Sequence, residues 1–116
     1  LTGQVTEERE HPPDLTLLSN GWILLNFGHR HPLFGVQGII SKDGGHTWEP
    51  QRLIFEDRFF GSDIGYPSTA RLSDGRLITL FYSAGSAETP HAPYEMIDVF
   101  CRAVCYDEEE VIKALV

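Results

Sequence analysis

PDLTLLSNGWILLNF, residues 13–27, and PSTARLSDGRLITLF, residues 67–81, align without a gap at an offset of 54. Pro13 and Pro67, Leu18 and Leu72, Ser19 and Ser73, Gly21 and Gly75, and Phe27 and Phe81 coincide, which is 5 of 15 positions. Each copy sets an Asn-Gly or Asp-Gly turn between two strand-like runs. Those dipeptides reach positive φ readily, so each copy predicts a β-hairpin. The same hairpin at one offset, behind the same leading proline, reads as an internal repeat.

Outward from the first copy, residues 1–10 are polar and read as a lead-in or as a strand that pairs elsewhere. His11, Pro12 and Pro13 form a stiff extended entry. After the hairpin, GHRHPLFG (28–35) is a loop and Val36 to Ile40 a third apolar run. KDGGHT (42–47) is a turn, and Arg52 to Phe55 a fourth strand with Pro50 at its edge. The second copy continues differently. Residues 84–93 form a polar loop, and 96–106 a strand. In that strand Val99, Cys101, Ala103 and Cys105 share one face, and Phe100, Arg102, Val104 and Tyr106 the other. DEEEVIKAL (107–115) reads as a short helix, capped by Asp107 and favoured by three glutamates at its positive end. The segments are therefore 1–10, a first unit over 11–57 with four strands, and a second over 58–116 ending in the helix. The second unit lacks the turn that closes the first, so its fourth strand is expected from elsewhere.

Composition removes several classes of function. The 116 residues hold 9 Lys+Arg against 17 Asp+Glu, a net charge of -8, which argues against nucleic-acid binding and a polybasic membrane anchor. No apolar stretch is long enough to span a membrane as a helix. The first residues lack the plan of a signal peptide. Cys101 and Cys105 would stand about 13 Å apart on one strand face, too far to bridge each other. They read as two buried thiols. No zinc spacing is present, His11, His29 and His31 lack metal-site spacing, and no cofactor is expected.

Ser41-Lys42-Asp43-Gly44-Gly45-His46-Thr47-Trp48 matches Ser-x-Asp-x-Gly-x-x-Trp. This motif resembles the Asp-box, or BNR repeat, of the sialidase (neuraminidase) superfamily. Its logic is that of a turn. The carboxylate of Asp43 accepts backbone N–H bonds, Gly45 supplies positive φ, and Trp48 packs the turn onto its own sheet. Ser41, Asp43, Gly45 and Trp48 are thus structural. Gly65-Tyr66-Pro67-Ser68, followed by Leu72-Ser73-Asp74-Gly75 and Tyr82, is similar to a stretch of BNR-repeat sialidase-like proteins. The resemblance covers residues 11–106. It implies an all-β chain of two four-stranded antiparallel blades from a six-bladed β-propeller, with a site on the face opposite the Asp-boxes. Six blades of roughly 45 residues need about 270 residues. The resemblance thus implies a homo-oligomer, a trimer first, or a longer propeller of which this is part.

Such a fold implies carbohydrate as ligand, with glycoside hydrolysis or glycan binding as the two outcomes and a purely structural propeller module as the third. Tyr66 sits at the family's tyrosine and would be the nucleophile, with Asp63 as acid/base. Arg30, flanked by His29 and His31, is the first candidate to clamp a substrate carboxylate, because a guanidinium fork matches it. His11, Asp14 and Arg102 complete the candidate substrate-binding residues. Two departures stand beside the match: Ser83 follows Tyr82 where the motif often has Glu, and Gln37 stands where relatives often carry Arg. Arg71 and Arg76 flank a turn and read as solvated. Trp22 and Trp48 read as core. Nothing in the residues indicates a compartment.

Overall fold

The computed structural model describes residues 5–7, 9–31, 33–59, 63–84 and 99–115. The chain is all-β. Its elements are β1 (Glu10–Leu17), β2 (Ile23–His29), β3 (Phe34–Ser41), β4 (Leu53–Phe59), β5 (Ile64–Arg71), β6 (Leu77–Ala84), β7 (Val99–Tyr106) and the helix α1 (Glu108–Lys113). β1 to β4 form one antiparallel meander and β5 to β7 a second. Among the described residues the second sheet has three strands, one fewer than the first.

The repeat read from sequence is a repeat of backbone geometry. In the first hairpin Leu18 donates to the carbonyl of Trp22 (2.8 Å) and Gly21 to that of Leu18 (3.0 Å). In the second, Leu72 donates to Arg76 (2.8 Å) and Gly75 to Leu72 (3.0 Å). Asn20 accepts from the Trp22 N–H as Asp74 accepts from that of Arg76. Only the glycine of each turn has positive φ, 90° at Gly21 and 91° at Gly75. The strand registers also coincide: Pro13 faces Phe27, and Ser68 faces Leu80, one step along the same ladder 54 residues on. Both ladders slip at the same place, between Glu10 and Pro13 and between Gly65 and Ser68. The slip is a β-bulge, and it re-aims the residues beside it. The first bulge contains a cis His11–Pro12 peptide; the second contains Gly65 (φ 120°) and Tyr66 (φ 50°).

The two sheets stack face to face, with β5 against β1 and β2. Neighbours along a strand point to opposite faces, so Leu24 turns toward the second sheet and Leu25 away from it. Leu18, Leu24 and Ile40 meet Leu77, Tyr106 and Val111 between the sheets. Val36, Ile64 and Phe81 form a second cluster there. On the opposite face of the first sheet, Leu25, Phe27 and Ile39 lie beneath Trp48. A polar chain crosses the interface: Thr69 reaches Asn26 (3.3 Å) and Thr79 (2.8 Å), and Thr79 reaches the Tyr106 hydroxyl (2.8 Å).

Three expectations are corrected here. Cys101 and Cys105 are exposed, not buried, because their face of β7 is the one turned away from the first sheet. Asp107 stands at the helix N-cap without a side-chain capping bond. Arg71 is not merely solvated: it donates to Glu108 (2.8 Å), which also accepts from the Ser19 N–H and hydroxyl, so α1 is pinned to the first hairpin. Arg76 is exposed, as expected, and pairs at the surface with Asp74 at 2.9 Å. Of the lead-in over 1–10, residues 5–7, 9 and 10 are described, and Glu10 already belongs to β1; the loop over 84–93 lies outside the described residues apart from Ala84.

Candidate functional site

The turns of the molecule gather at two ends. One end carries both Gly hairpins, the Ser41–Trp48 turn and α1. There the Ser41 hydroxyl donates to Asp43 (2.9 Å) and accepts the Gly45 N–H (2.8 Å). Asp43 accepts the N–H (2.8 Å) and hydroxyl (2.6 Å) of Thr47. The Thr47 hydroxyl and N–H hold the Asp43 carboxyl down at about 2. Gly44 and Gly45 take φ of 76° and 95°, and Trp48 packs on Leu25, Phe27 and Ile39. These bonds account for the spacing of the motif without any ligand.

The other end carries the β2–β3 loop, the approach to β5 and the two bulges. Gly28 makes it possible: a Cβ there would lie 2.9 Å from the Gly65 Cα and 3.1 Å from the carbonyls of His11 and Ile64. The close approach of β2 and β5 brings three of the sequence candidates together. Arg30 donates through Nε to the Ile64 carbonyl (3.1 Å), and its guanidinium lies 5.9 Å from the centre of the Tyr66 ring. Tyr66 stacks at a tilt on Tyr82, with centroids 5.5 Å apart. Tyr82 donates its hydroxyl to Asp63, whose carbonyl accepts the Ala84 N–H. Burial, then the Asp63 carboxylate, pushes the Tyr82 phenol up to about 12. Tyr66 is 63% exposed. A left-handed backbone at a non-glycine residue costs of order 1–3 kcal/mol and concentrates at functional positions.

The remaining candidates lie elsewhere. The His29 and His31 rings lie at a tilt with centroids 5.4 Å apart. His29 meets Glu10 at 2.9 Å, and Arg52 meets the same carboxylate at 2.7 Å. The Glu10 side chain is fully buried; burial opposes its charge, but Arg52, the Glu7 N–H and His29 together hold its pKa below the ordinary carboxylate value. That cluster covers Phe27, whose ring lies 5.1 Å from the Arg52 guanidinium. Asp14 accepts the Thr69 N–H (2.9 Å) and so joins β1 to β5. Arg102 pairs with Glu56 (2.8 Å) across the sheets. His11 is exposed on β1. Asp14 and Arg102 are therefore engaged in holding the sheets together, apart from the Tyr66 group. No three His, Cys, Asp or Glu side chains gather at metal distance among the described residues.

Sequence reasoning assigned no role to Tyr82, Glu10 or Arg52. The Tyr82 contact depends on the bulge at Gly65, and the Gly65-Tyr66-Pro67 tripeptide was its one visible trace. Glu10 closes the polar segment read as a lead-in or as a strand that pairs elsewhere.

No protein-family model matches the chain, and no curated protein matches it. Among solved structures, the crystal structure of a protein of unknown function from Dyadobacter fermentans is similar, with a TM-score of 0.61 and 20% identity. The similarity covers 84% of this chain and 25% of that one, so this chain spans about a quarter of its length.

Proposed function

We propose that the chain forms two blades of a sialidase-like β-propeller and binds carbohydrate at the end that carries Arg30, Asp63, Tyr66 and Tyr82. The observation behind this reading is the exposed Tyr66 ring on its strained backbone, with a guanidinium beside it and a carboxylate behind Tyr82. Sugars offer an apolar face of C–H groups and a rim of hydroxyls. An aromatic face with a few fixed polar groups suits both. The face-to-face stacking supports the propeller reading, as does similarity to a chain more than three times as long. The other blades would come from further copies, three giving six blades of about 39 kDa in all (13.1 kDa each), or from the rest of a longer polypeptide. A native mass separates these.

Tyr66→Asn tests the site, because asparagine tolerates the left-handed backbone while removing the ring. Titration with sialic acid and with lactose, followed by the aromatic proton signals, should move the Tyr66 and Tyr82 resonances with at least one of the two sugars. Tyr66→Asn should abolish that response. Unchanged binding in the variant would remove Tyr66 from the site.

A second reading, hydrolysis of a sialoside, has one observation in its favour: a phenol, Tyr82, donates directly to a carboxylate, Asp63. The high pKa of that phenol favours binding over nucleophilic attack. Release of the fluorophore from a fluorogenic sialoside, lost in Tyr82→Phe, would select hydrolysis with Tyr82 as nucleophile. Loss in Tyr66→Phe alone would restore Tyr66 to that role.

A further inference from the structure

The four outer strands of the two sheets do not present equal edges. β1 contains Pro12 and Pro13 and a bulge. β5 contains Pro67 and a bulge. β4 carries Glu56 and Asp57 and pairs with β3 through two register shifts. Prolines, bulges and charges are the devices by which proteins keep a sheet edge from pairing with another chain. β7 has none but Arg102. It runs eight residues, holds unbroken register with β6 from Val99 to Tyr106, and has no strand on its other side among the described residues. Between the inner face of β7 and β4 lies an open groove of about 210 Å³, lined by Leu53 and Phe55 of β4, Val104 and Tyr106 of β7, and Val111 of α1. In the first sheet the corresponding place beside β3 is filled by β4. The place beside β7 has no such strand among the described residues.

The sequence of β7 points to what fills it. Phe100-Cys101-Arg102-Ala103-Val104-Cys105-Tyr106 is close to a palindrome: aromatic, Cys, x, Ala, x, Cys, aromatic. An antiparallel strand pair related by a two-fold axis places each residue opposite its mirror position. With the axis at Ala103, Cys101 faces Cys105 of a second copy, Phe100 faces its Tyr106, and Ala103 faces itself. Like aromatic pairs across strands are favourable, and the small alanine lets the two chains meet at the axis. The Cys101 and Cys105 side chains lie on the exposed face, where the pairing leaves them accessible.

We infer that β7 pairs antiparallel with β7 of a second copy about Ala103, joining two three-stranded sheets into one of six strands. The contact is isologous, so it closes at two chains and does not propagate. It uses the edge of the second sheet opposite β5, and therefore leaves the stacked faces and the Tyr66 end untouched. It does not rest on the carbohydrate reading.

The cysteines provide the test. Directly opposed residues of an antiparallel pair have Cα atoms about 4.5 or 5.5 Å apart, and both distances fall within the span of a disulfide. Within one chain the two thiols are about 13 Å apart along the strand and cannot join. The folded chain is treated with glutathione disulfide. Each bridge forms when two thiols give up two protons and two electrons to one glutathione disulfide, which leaves as two glutathione molecules. The expected product is a covalent dimer in which peptide mapping finds Cys101 joined to Cys105. Cys101→Ser alone and Cys105→Ser alone should each lose the dimer, because each remaining thiol then faces a serine. Mixing the two variants should restore a dimer with a single bridge. That rescue also shows that both variants fold. Links of Cys101 to Cys101 and Cys105 to Cys105, formed as often as the mixed link, would mean random encounter and overturn the register. A folded wild-type chain that forms no dimer would mean that another strand covers the edge, and would overturn the proposal.

Discussion

The two sheets begin as copies and end as different objects. Their hairpins share turn bonds, glycine φ and the position of the bulge. Their third strands do not keep the spacing: Phe34 and Val99, which open β3 and β7, stand 65 residues apart rather than 54. What is shared is what backbone geometry needs, and what differs is what faces the surroundings. At the bulge, Pro12 of the first copy corresponds to Tyr66 of the second, and Gly28 to Tyr82. The candidate site therefore lies where the second copy carries two tyrosines and the first a proline and a glycine. Gly28 supplies the space into which the second copy's bulge fits.

The widest contrast is in the paired phenylalanines. Phe81 lies between the sheets with Val36 and Ile64, whereas Phe27, its counterpart, faces away from the second sheet under Trp48 and Arg52. Both are buried, but only Phe81 has a sheet above it. Phe81→Ala should cost about 3–5 kcal/mol, since the two sheets cannot collapse into the cavity. Phe27→Ala should cost less, because its cover consists of side chains that can move. Equal losses in urea unfolding would mean that the two faces are equally well packed, and would weaken the view that the Phe27 face awaits another sheet.

Gly28→Ala comes next, at about 1–3 kcal/mol, because its Cβ would meet backbone and not a movable side chain. It should also displace β5 and so alter the Tyr66 and Tyr82 ring signals by NMR. A variant with wild-type stability and unshifted rings would show that the approach of β2 to β5 is looser than the structure has it.

How much of this was legible in the sequence follows the same division. Asn20-Gly21 and Asp74-Gly75 predicted both hairpins, because a turn is decided by residues within it. Ser41 to Trp48 and the C-terminal helix were legible for that reason too. The faces of β7 were correctly alternated, yet the thiols were placed in the core, because alternation does not say which face another sheet will cover. Asp63 and Tyr66 come from the motif stretch and Arg30 from the composition of its loop, and the structure brings the three to one end. Tyr82 as the partner of Asp63, Glu10 as a buried clamp, and Glu108 as the partner of Arg71 depend on contacts 19, 42 and 37 residues apart, which no local pattern encodes.

The hairpin glycines sharpen the comparison further. Gly21 and Gly75 have matching φ and open space around the position of a Cβ. Alanine at either should therefore cost about 1 kcal/mol from backbone strain alone. The two losses should agree in thermal melts. A clear inequality would show that the two turns differ in more than sequence.

The smallest expected effect concerns Glu108, a carboxylate that joins the two copies at their turn end. Glu108 accepts from Arg71 of the second copy and from Ser19 of the first. Arg71, followed by the Ser19 donors, holds its folded pKa at about 2, against burial that works the other way. A carboxylate with a depressed folded pKa contributes stability that is complete above its unfolded value of about 4.3 and is lost as the pH falls toward the folded one. Glu108→Gln removes the charge but keeps the shape. It should lower the melting temperature slightly at pH 7, where the pair is solvent-screened. The gap between variant and wild type should narrow as the pH is taken from 4.5 to 2, because the wild type then loses the same charge. A gap that stays constant across that window would mean that Glu108 acts through hydrogen-bond geometry alone, and that the two copies are joined at this end by shape and not by charge.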